Sequence, residues 1–441
     1  MAGTAPLVPG SVLLGSARDI RADMLGSIER AFRDFGDVVR IRLGPPRVGR
    51  KLHFVFHPDG AQHVLAGRAA TYRKDNVFYA EVRDAFGDGL LTSQDDDWQR
   101  QKRFLQPLFT HRRVASYAAT MSEQVDAMVA EWRAGPAADR DMHREMTRLT
   151  LRVVCRVLFG NHLEQALPVV QRWFGPLGES VRRRSMAPFR VPSTWPTVVN
   201  HRLTRARREL FAVCDDIIGD RRTQASADGP DLLGLLLDAR DGDSALTDAE
   251  VRDQVLVFLL AGHETTSTAL TYALHLLGRH PSVQQRLRDE PDGAYPAMVL
   301  KEAMRLFPSA PLTGRRSVAD DEIGGYHIPA GSDVIVAPWV THRHPRFWDA
   351  PDEFHPERFT PEREKARHRY AWFPFGGGPR ACIGQHFSML ESTIALTALV
   401  RNFEFTAPAA VPPYTNHITL RPTSTVPVHI RPRSPQRVSP R

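Results

Sequence analysis

The run from Phe373 to Phe387, Phe-Pro-Phe-Gly-Gly-Gly-Pro-Arg-Ala-Cys-Ile-Gly-Gln-His-Phe, constrains this chain more than any other stretch. It sets Cys382 between a Gly/Pro-rich loop and a segment, Phe387 to Leu399, that reads as a helix. A cysteine at a helix start has its thiolate favoured by the helix dipole and by free backbone N–H groups. Gly376, Gly377 and Gly378 let the preceding backbone turn tightly and approach a flat ligand. Arg380 supplies a cation for an anionic group on that ligand. A free cysteine alone is most simply a buried packing residue. In this setting, thiolate ligation of a haem iron is a chemistry that uses every part.

The rest of the chain must build a core around that loop. No linker, repeat or low-complexity stretch divides the 441 residues, so one large core is expected although length alone would allow two to four domains. The three cysteines, Cys155, Cys214 and Cys382, are far apart and odd in number, which fits a reducing compartment rather than a disulfide framework. Met1 to Leu14 contains Pro6, Pro9 and Gly10 and no long apolar run, so neither a signal peptide nor a membrane anchor is expected there. The net charge of +8 comes almost wholly from arginine and would suit an acidic protein partner; no nucleic-acid motif accompanies it.

Taken in order, Val38 to Leu43 and Leu52 to Phe56 alternate around Gly44-Pro45-Pro46 and predict a hairpin, followed by a short helix near Ala61 to Leu65. Tyr72 to Leu91 reads as partly irregular. Asp97 to Leu105 opens a helix with Trp98 and Lys102 on one face. Ser122 to Trp132 and Met142 to Phe159 are helical by periodicity. Leu167 to Pro196, rich in proline and arginine, predicts a broken helix and loop with Arg182, Arg183 and Arg184 in solvent, and Thr204 to Arg222 a basic helix. Thr247-x-x-Glu250 is a capping box for a long helix reaching about Gly278. Val255 to Ala261 is apolar all round, so that helix should cross the core, yet Ala261-Gly262-His263-Glu264-Thr265-Thr266 interrupts it with groups that are costly to bury. Such rule-breaking tends to mark function. His263 reads as pocket wall or packing. Glu302 and Arg305 share a helix face, and Arg358 is placed to join them. Glu322 to Ile328 and Ser332 to Ala337 read as strands, Ile418 to Arg421 with Val426 to Ile430 as a last hairpin, and Ser434 to Arg441 as disordered.

Phe375-x-x-Gly378-x-Arg380-x-Cys382-x-Gly384 resembles the haem-binding signature of the cytochrome P450 monooxygenases at every fixed position. Ala261 to Thr266 resembles the same family's oxygen-binding segment, and Glu302-x-x-Arg305 with Arg358 its structural triad. The resemblance implies a mainly α fold with small β-sheets, one domain over residues 1–441 with a disordered tail from about 434, and haem b whose iron is ligated by Cys382. It implies propionate contacts from Trp98, from Lys102 where many members carry Arg, and from Arg315, with Arg316 as fallback, and places Phe375, Arg380 and Gly384 in the cofactor loop. Glu264 and Thr265 would be the catalytic pair, relaying protons to the oxygen being cleaved. Asn76 to Leu90 would roof the substrate pocket, Leu167 to Pro196 would form its lid, and Pro311 to Thr313 would line it. The segment 289–297 is about twenty residues shorter than usual in the family, so a helix turn should be missing there.

The implied reaction inserts one atom of O2 into an apolar small molecule by hydroxylation or epoxidation, in secondary metabolism. Its electrons would come from a separate ferredoxin or flavodoxin with its reductase, and the enzyme would be of the soluble bacterial, cytoplasmic type without a membrane anchor. A peroxide-driven peroxygenase, an oxidative-coupling enzyme and a haem-binding sensor are the rivals; the Glu264–Thr265 pair argues against the peroxygenase and the sensor. A terpenoid, a polyketide or a fatty acyl chain each fits the apolar pocket residues.

Overall fold

Thr247 starts the helix on which the others are stacked. Its hydroxyl accepts from the Glu250 N–H (3.3 Å) while the Glu250 carboxylate accepts from the Thr247 N–H (2.8 Å), closing the predicted capping box. The helix runs Asp248–Arg279, about 48 Å at 1.5 Å per residue, and is almost wholly buried from Val255 onward. Met142–Phe159, Tyr295–Leu306 and Gln385–Asn402 pack against it. At Gly262, which weakens the helix locally, Met142–Phe159 comes close: a Cβ there would lie 3.0 Å from a Val154 methyl. The computed structural model describes residues 2–160, 163–185, 192, 195–223, 231–291, 293–416 and 418–433. The expected disordered tail from Ser434 lies outside them.

The β structure is small and peripheral. Val38–Leu43 and Arg50–Val55 form the predicted hairpin, with Val39 opposite Phe54. Asp333–Val336 joins it in parallel, and Thr313–Ser317 and Tyr72–Arg73 complete a five-stranded sheet. A second sheet orders Phe403–Thr406, Pro427–Pro432 and Ala138–Asp141.

Several expectations need correction. Leu163–Ser185 is one continuous helix despite Pro168 and Pro176. An internal proline costs roughly 3 kcal/mol, but Val170, Phe174, Leu177 and Val181 form a fully buried stripe that offsets it. Arg184 is not solvated: it pairs with the buried Glu81 and donates to Asn200 Oδ1 (2.7 Å), while Arg182 and Arg183 bind Glu179 on the outer side. Successive helical residues point about 100° apart, so three adjacent arginines cannot share one surface. Val77–Phe86 is a regular helix capped by Asn76 within the stretch expected to be partly irregular. Glu322 to Ile328 is two short strands, Asp321–Ile323 and Tyr326–Ile328, around Gly324 and Gly325. The final hairpin does not form: Leu420–Pro422 pairs with Tyr414–Asn416, and Pro427–Pro432 is taken up between Phe403–Thr406 and Ala138–Asp141. Strand pairing follows burial of Val428 and Ile430, which local sequence does not specify. The shortened stretch behaves as expected, with no helix among the described residues between Pro281–Asp289 and Tyr295–Leu306.

Glu302 and Arg305 are fully buried and doubly hydrogen-bonded, 2.7 and 2.9 Å. Arg305 spends its remaining donors on the carbonyls of His342, Pro351 and Glu353. Glu302 Oε1 also accepts from the His355 N–H (2.9 Å) and lies 3.3 Å from Arg358. Breaking such a pair leaves an unpaired buried charge, a loss of about 3–5 kcal/mol. Arg305→Ala and Glu302→Ala are therefore each expected to lower unfolding free energy by about that amount in urea titration, and the double variant by less than the sum of the two.

Candidate active site

The Cys382 loop is shaped by one close approach. Gly378 has φ +64°, and a Cβ there would sit 1.9 Å from the Leu65 carbonyl oxygen, so no other residue fits without moving the backbone. A 3₁₀ turn over Gly378–Arg380 follows, and the Cys382 N–H donates to the Phe375 carbonyl (2.8 Å), fixing the cysteine beside Phe375. The helix begins at Gln385, with Gly384 as its N-cap.

Cys382 is exposed, unlike the buried Cys155 and Cys214. Yet enough protein surrounds it for burial to push its thiol up, against the Gly384 N–H and the Lys74 cation, which favour the thiolate. A residue both reachable and enclosed lies on the wall of an internal slot. The helix start alone therefore does not secure a thiolate here; a bound metal cation would. The long helix opens in the same way at its middle, where Ala261 is exposed and Thr265 half-buried amid buried neighbours. The two segments touch where Thr266 Oγ1 and Ser388 Oγ lie 3.0 Å apart, just beyond these openings.

Cations gather beside the slot without matching acids. Arg380 stacks on Trp98 (4.1 Å), donates to the Ser93 carbonyl (2.8 Å) and leaves Nη1 buried without a partner among the described residues. Burial, then Arg315, brings its pKa down to about 10. Lys102 lies over Trp98 (5.1 Å) and donates to the Pro379 carbonyl (3.1 Å). Arg315 is buried and donates to Gly314 O and Thr313 Oγ1, whereas Arg316, the fallback, is exposed. Arg103 pairs with Asp241 instead, so Lys102 is the one that faces the loop. Among the described residues none of Lys102, Arg315 and Arg380 makes a carboxylate salt bridge.

Two members of this cluster escape sequence reasoning. Lys74 is buried, sits 5.2 Å above the Tyr79 ring, and has its pKa lowered to about 8 by burial. Tyr79 is also buried; burial raises its pKa, but Lys74, Arg315 and hydrogen bonds to Thr313 and Arg315 outweigh it and the phenol is lowered. No motif marks either, because Lys74, just before Val77–Phe86, and Tyr79, in its first turn, reach the site only through tertiary folding. A cavity wall with a reachable thiol, an orphaned guanidinium N–H and clustered uncompensated cations fits a flat, anionic, metal-bearing group.

Glu264 and Thr265 are adjacent but not joined. The Thr265 hydroxyl donates to the Ala261 carbonyl (2.6 Å), and its carbonyl accepts from Ser309 Oγ (2.7 Å). Glu264 is buried and turns instead toward Thr419 and Arg421. His263 is buried, packing on Phe174 (5.3 Å) with Nδ1 on the Leu259 carbonyl.

A fold of this kind is found in haem-thiolate enzymes: the crystal structure of the cytochrome P450DA heme domain matches over 99% of both chains with TM-score 0.86 and 27% identity. The chain belongs to the cytochrome P450 family, whose pattern it matches over residues 6–428. Among its relatives are the cyclooctatin synthase of Streptomyces melanosporofaciens, 36% identical over 82% of both chains, and the pentalenene oxygenase of Streptomyces avermitilis, 32% identical over 84% of both. The cyclooctat-9-en-7-ol 5-monooxygenase of S. melanosporofaciens is 32% identical, covering 82% of this chain and 81% of that one. The protein is thus an oxidoreductase of the monooxygenase type, and family members hold haem through a cysteine thiolate. No helix of the described residues is long and apolar enough to cross a membrane.

On the helix that follows Cys382, Glu391 is fully buried with neither carboxyl oxygen partnered among the described residues, and burial holds its pKa well above the usual range. The folded state keeps this proton while the unfolded chain releases it above about pH 4.3. The residue therefore lowers stability progressively as pH rises from there. Glu391→Gln should change stability little near pH 4 and raise it, relative to wild type, by about 1.4 kcal/mol per pH unit above that until the folded group itself ionises, as measured by denaturant unfolding from pH 4 to 8.

Proposed function

We propose that the protein oxidises an apolar terpenoid, holding haem b through Cys382 and drawing electrons from a separate ferredoxin or flavodoxin with its reductase. The names of the three Streptomyces relatives, two of them oxygenases of pentalenene and of cyclooctat-9-en-7-ol, support the substrate class. The observation that carries the cofactor assignment is the uncompensated cation cluster beside an exposed cysteine in an enclosed slot. Bound through the thiolate, haem supplies the oxygen activation that no side chain can.

The chain's own residues divide the remaining work. Trp98, Lys102, Arg315 and Arg380, with Lys74 in addition, bind the propionates; Arg380 Nη1 gains the acceptor it lacks. Phe375 and Gly384 flank the sulfur, and the Gly384 N–H tempers its charge. Thr265 and Glu264 move protons into a site that apolar walls keep dry. The exposed Arg112, next to His111 whose ring meets that of His386 on the helix after Cys382, suits an acidic redox partner. We read residues 1–441 as a single domain on the strength of the family match over nearly the whole length.

Reduced protein with carbon monoxide should show the red-shifted band of thiolate haem, and Cys382→Ala should lose it. Arg380→Ala and Lys74→Ala should each release haem to an apoglobin acceptor about tenfold faster or more, from loss of one charge-assisted hydrogen bond. Optical titration should give tighter binding for cyclic terpenes than for fatty acids of equal carbon number; the reverse order would remove the terpenoid assignment. Thr265→Ala should consume O2 with much less product formed per O2.

A further inference from the structure

The apolar side chains most open to solvent are not scattered. Among the described residues the five most exposed large ones are Val48 (79%), Val12 (74%), Leu13 (72%), Val198 (72%) and Trp195 (60%). Single exposed apolar residues are ordinary on a protein surface, but a group drawn together from three remote stretches of chain is not. Side chains left in water add little to the core, so folding does not account for them.

Hydrogen bonds tie the three stretches side by side. The turn 11–15, which carries Val12 and Leu13, closes through two backbone bonds between Ser11 and Gly15 (2.8 and 2.9 Å). It is fastened to the end of Val38–Leu43: the Gly44 N–H donates to the Leu14 carbonyl (2.9 Å), and Arg42 Nη2 donates to the Ser11 carbonyl (3.1 Å). Val48 stands in the turn between that strand and Arg50–Val55. Arg50 Nη1 then donates to the Ser185 carbonyl (3.1 Å), at the end of Leu163–Ser185. Beside it Arg184 donates to Asn200 Oδ1 (2.7 Å), and Asn200 Nδ2 donates to the Trp195 carbonyl (2.8 Å). Trp195 and Val198 flank the start of the helix Val198–Thr223.

Cations stand among these tips. Arg47 precedes Val48, Lys51 lies three residues beyond it, and Arg202 is one helical turn on from Val198; all three are exposed. Arg50 pairs with Asp333 (3.2 Å), but none of these three has a carboxylate partner among the described residues. Tips on separate turns do not offer a protein partner one well-packed surface. A lipid surface moulds itself around them: aliphatic side chains enter the acyl boundary, a tryptophan sits at headgroup level, and arginine and lysine meet anionic headgroups. No described helix is long and apolar enough to cross a bilayer, so attachment through this face is interfacial.

We propose that this face docks the protein on bilayers containing anionic phospholipid, its five apolar tips entering the lipid while Arg47, Lys51 and Arg202 meet the headgroups. Such docking requires no particular substrate, and it places the enzyme where apolar molecules collect.

Holoprotein should co-sediment with phosphatidylcholine vesicles that contain phosphatidylglycerol, more strongly as the anionic fraction rises and less strongly as salt is added. Leu13→Ser and Val48→Ser should each weaken partitioning about tenfold. Arg47→Gln, Lys51→Gln and Arg202→Gln combined should remove the preference for the anionic lipid. Acyl-brominated lipid should quench the tryptophan fluorescence of the wild type, and Trp195→Phe should lose that quenching although the other tryptophans remain. All these positions are exposed, so the variants should keep the wild-type circular dichroism. Absence of binding at every anionic fraction overturns the proposal. So does binding that salt abolishes and that Leu13→Ser and Val48→Ser leave unchanged, because adsorption through the net charge of +8 would then account for it. Self-association in the ultracentrifuge that the same two variants abolish, without vesicle binding, overturns it in favour of a second copy of the chain.

Discussion

One buried guanidinium organises the approach to the cysteine. Arg305 satisfies Glu302 with two donors and spends the rest on three carbonyls, of His342, Pro351 and Glu353, in a stretch with little regular structure. The His342 ring continues the connection, because its Nε2 accepts from the Phe373 N–H (2.9 Å), the first residue of the cysteine loop. Acceptance at Nε2 requires that nitrogen to be unprotonated, and burial together with the Arg305 charge keeps this imidazole neutral. Two hydrogen bonds therefore lead from a helix in the core, through His342, to the start of the loop that presents Cys382.

Charge is deliberately unbalanced around the slot. Lys74 and Arg380 stand beside Arg315 with their own charged forms disfavoured by burial, and Cys382 has its thiol pushed up rather than down. Each imbalance is of the sign that haem would correct, with carboxylates for the cations and iron for the sulfur. Family members bind that group through a cysteine thiolate. The cradle is destabilised where the ligand is to go, as binding sites commonly are.

What the sequence made legible was local. The cysteine loop, the capping box of Thr247 and Glu250, and the Glu302–Arg305 pair each lie within a few residues and obey fixed spacing. The helices Met142–Phe159 and Asp248–Arg279 emerged near their true bounds because their periodicity is long. What stayed hidden depends on partners far along the chain. The buried stripe that keeps Leu163–Ser185 straight through two prolines, the pairing of Arg184 with Glu81, and the placement of Lys74 and Tyr79 are tertiary facts. The strand Pro427–Pro432 found a neighbour far back in the chain as readily as one nearby, as Val428 opposite Arg140 and Ile430 opposite Phe405 illustrate, 288 and 25 positions apart.

The dependence of so much loop on Arg305 has an evolutionary side. A helix or sheet spreads its hydrogen bonds over many residues, so the loss of one is tolerated. The path from His342 to Glu353 instead converges on one hub, where three backbone oxygens must reach the same point whatever side chains those residues carry. Such a segment can drift in sequence while remaining almost frozen in length, because an inserted residue would pull an oxygen off the hub whatever its side chain.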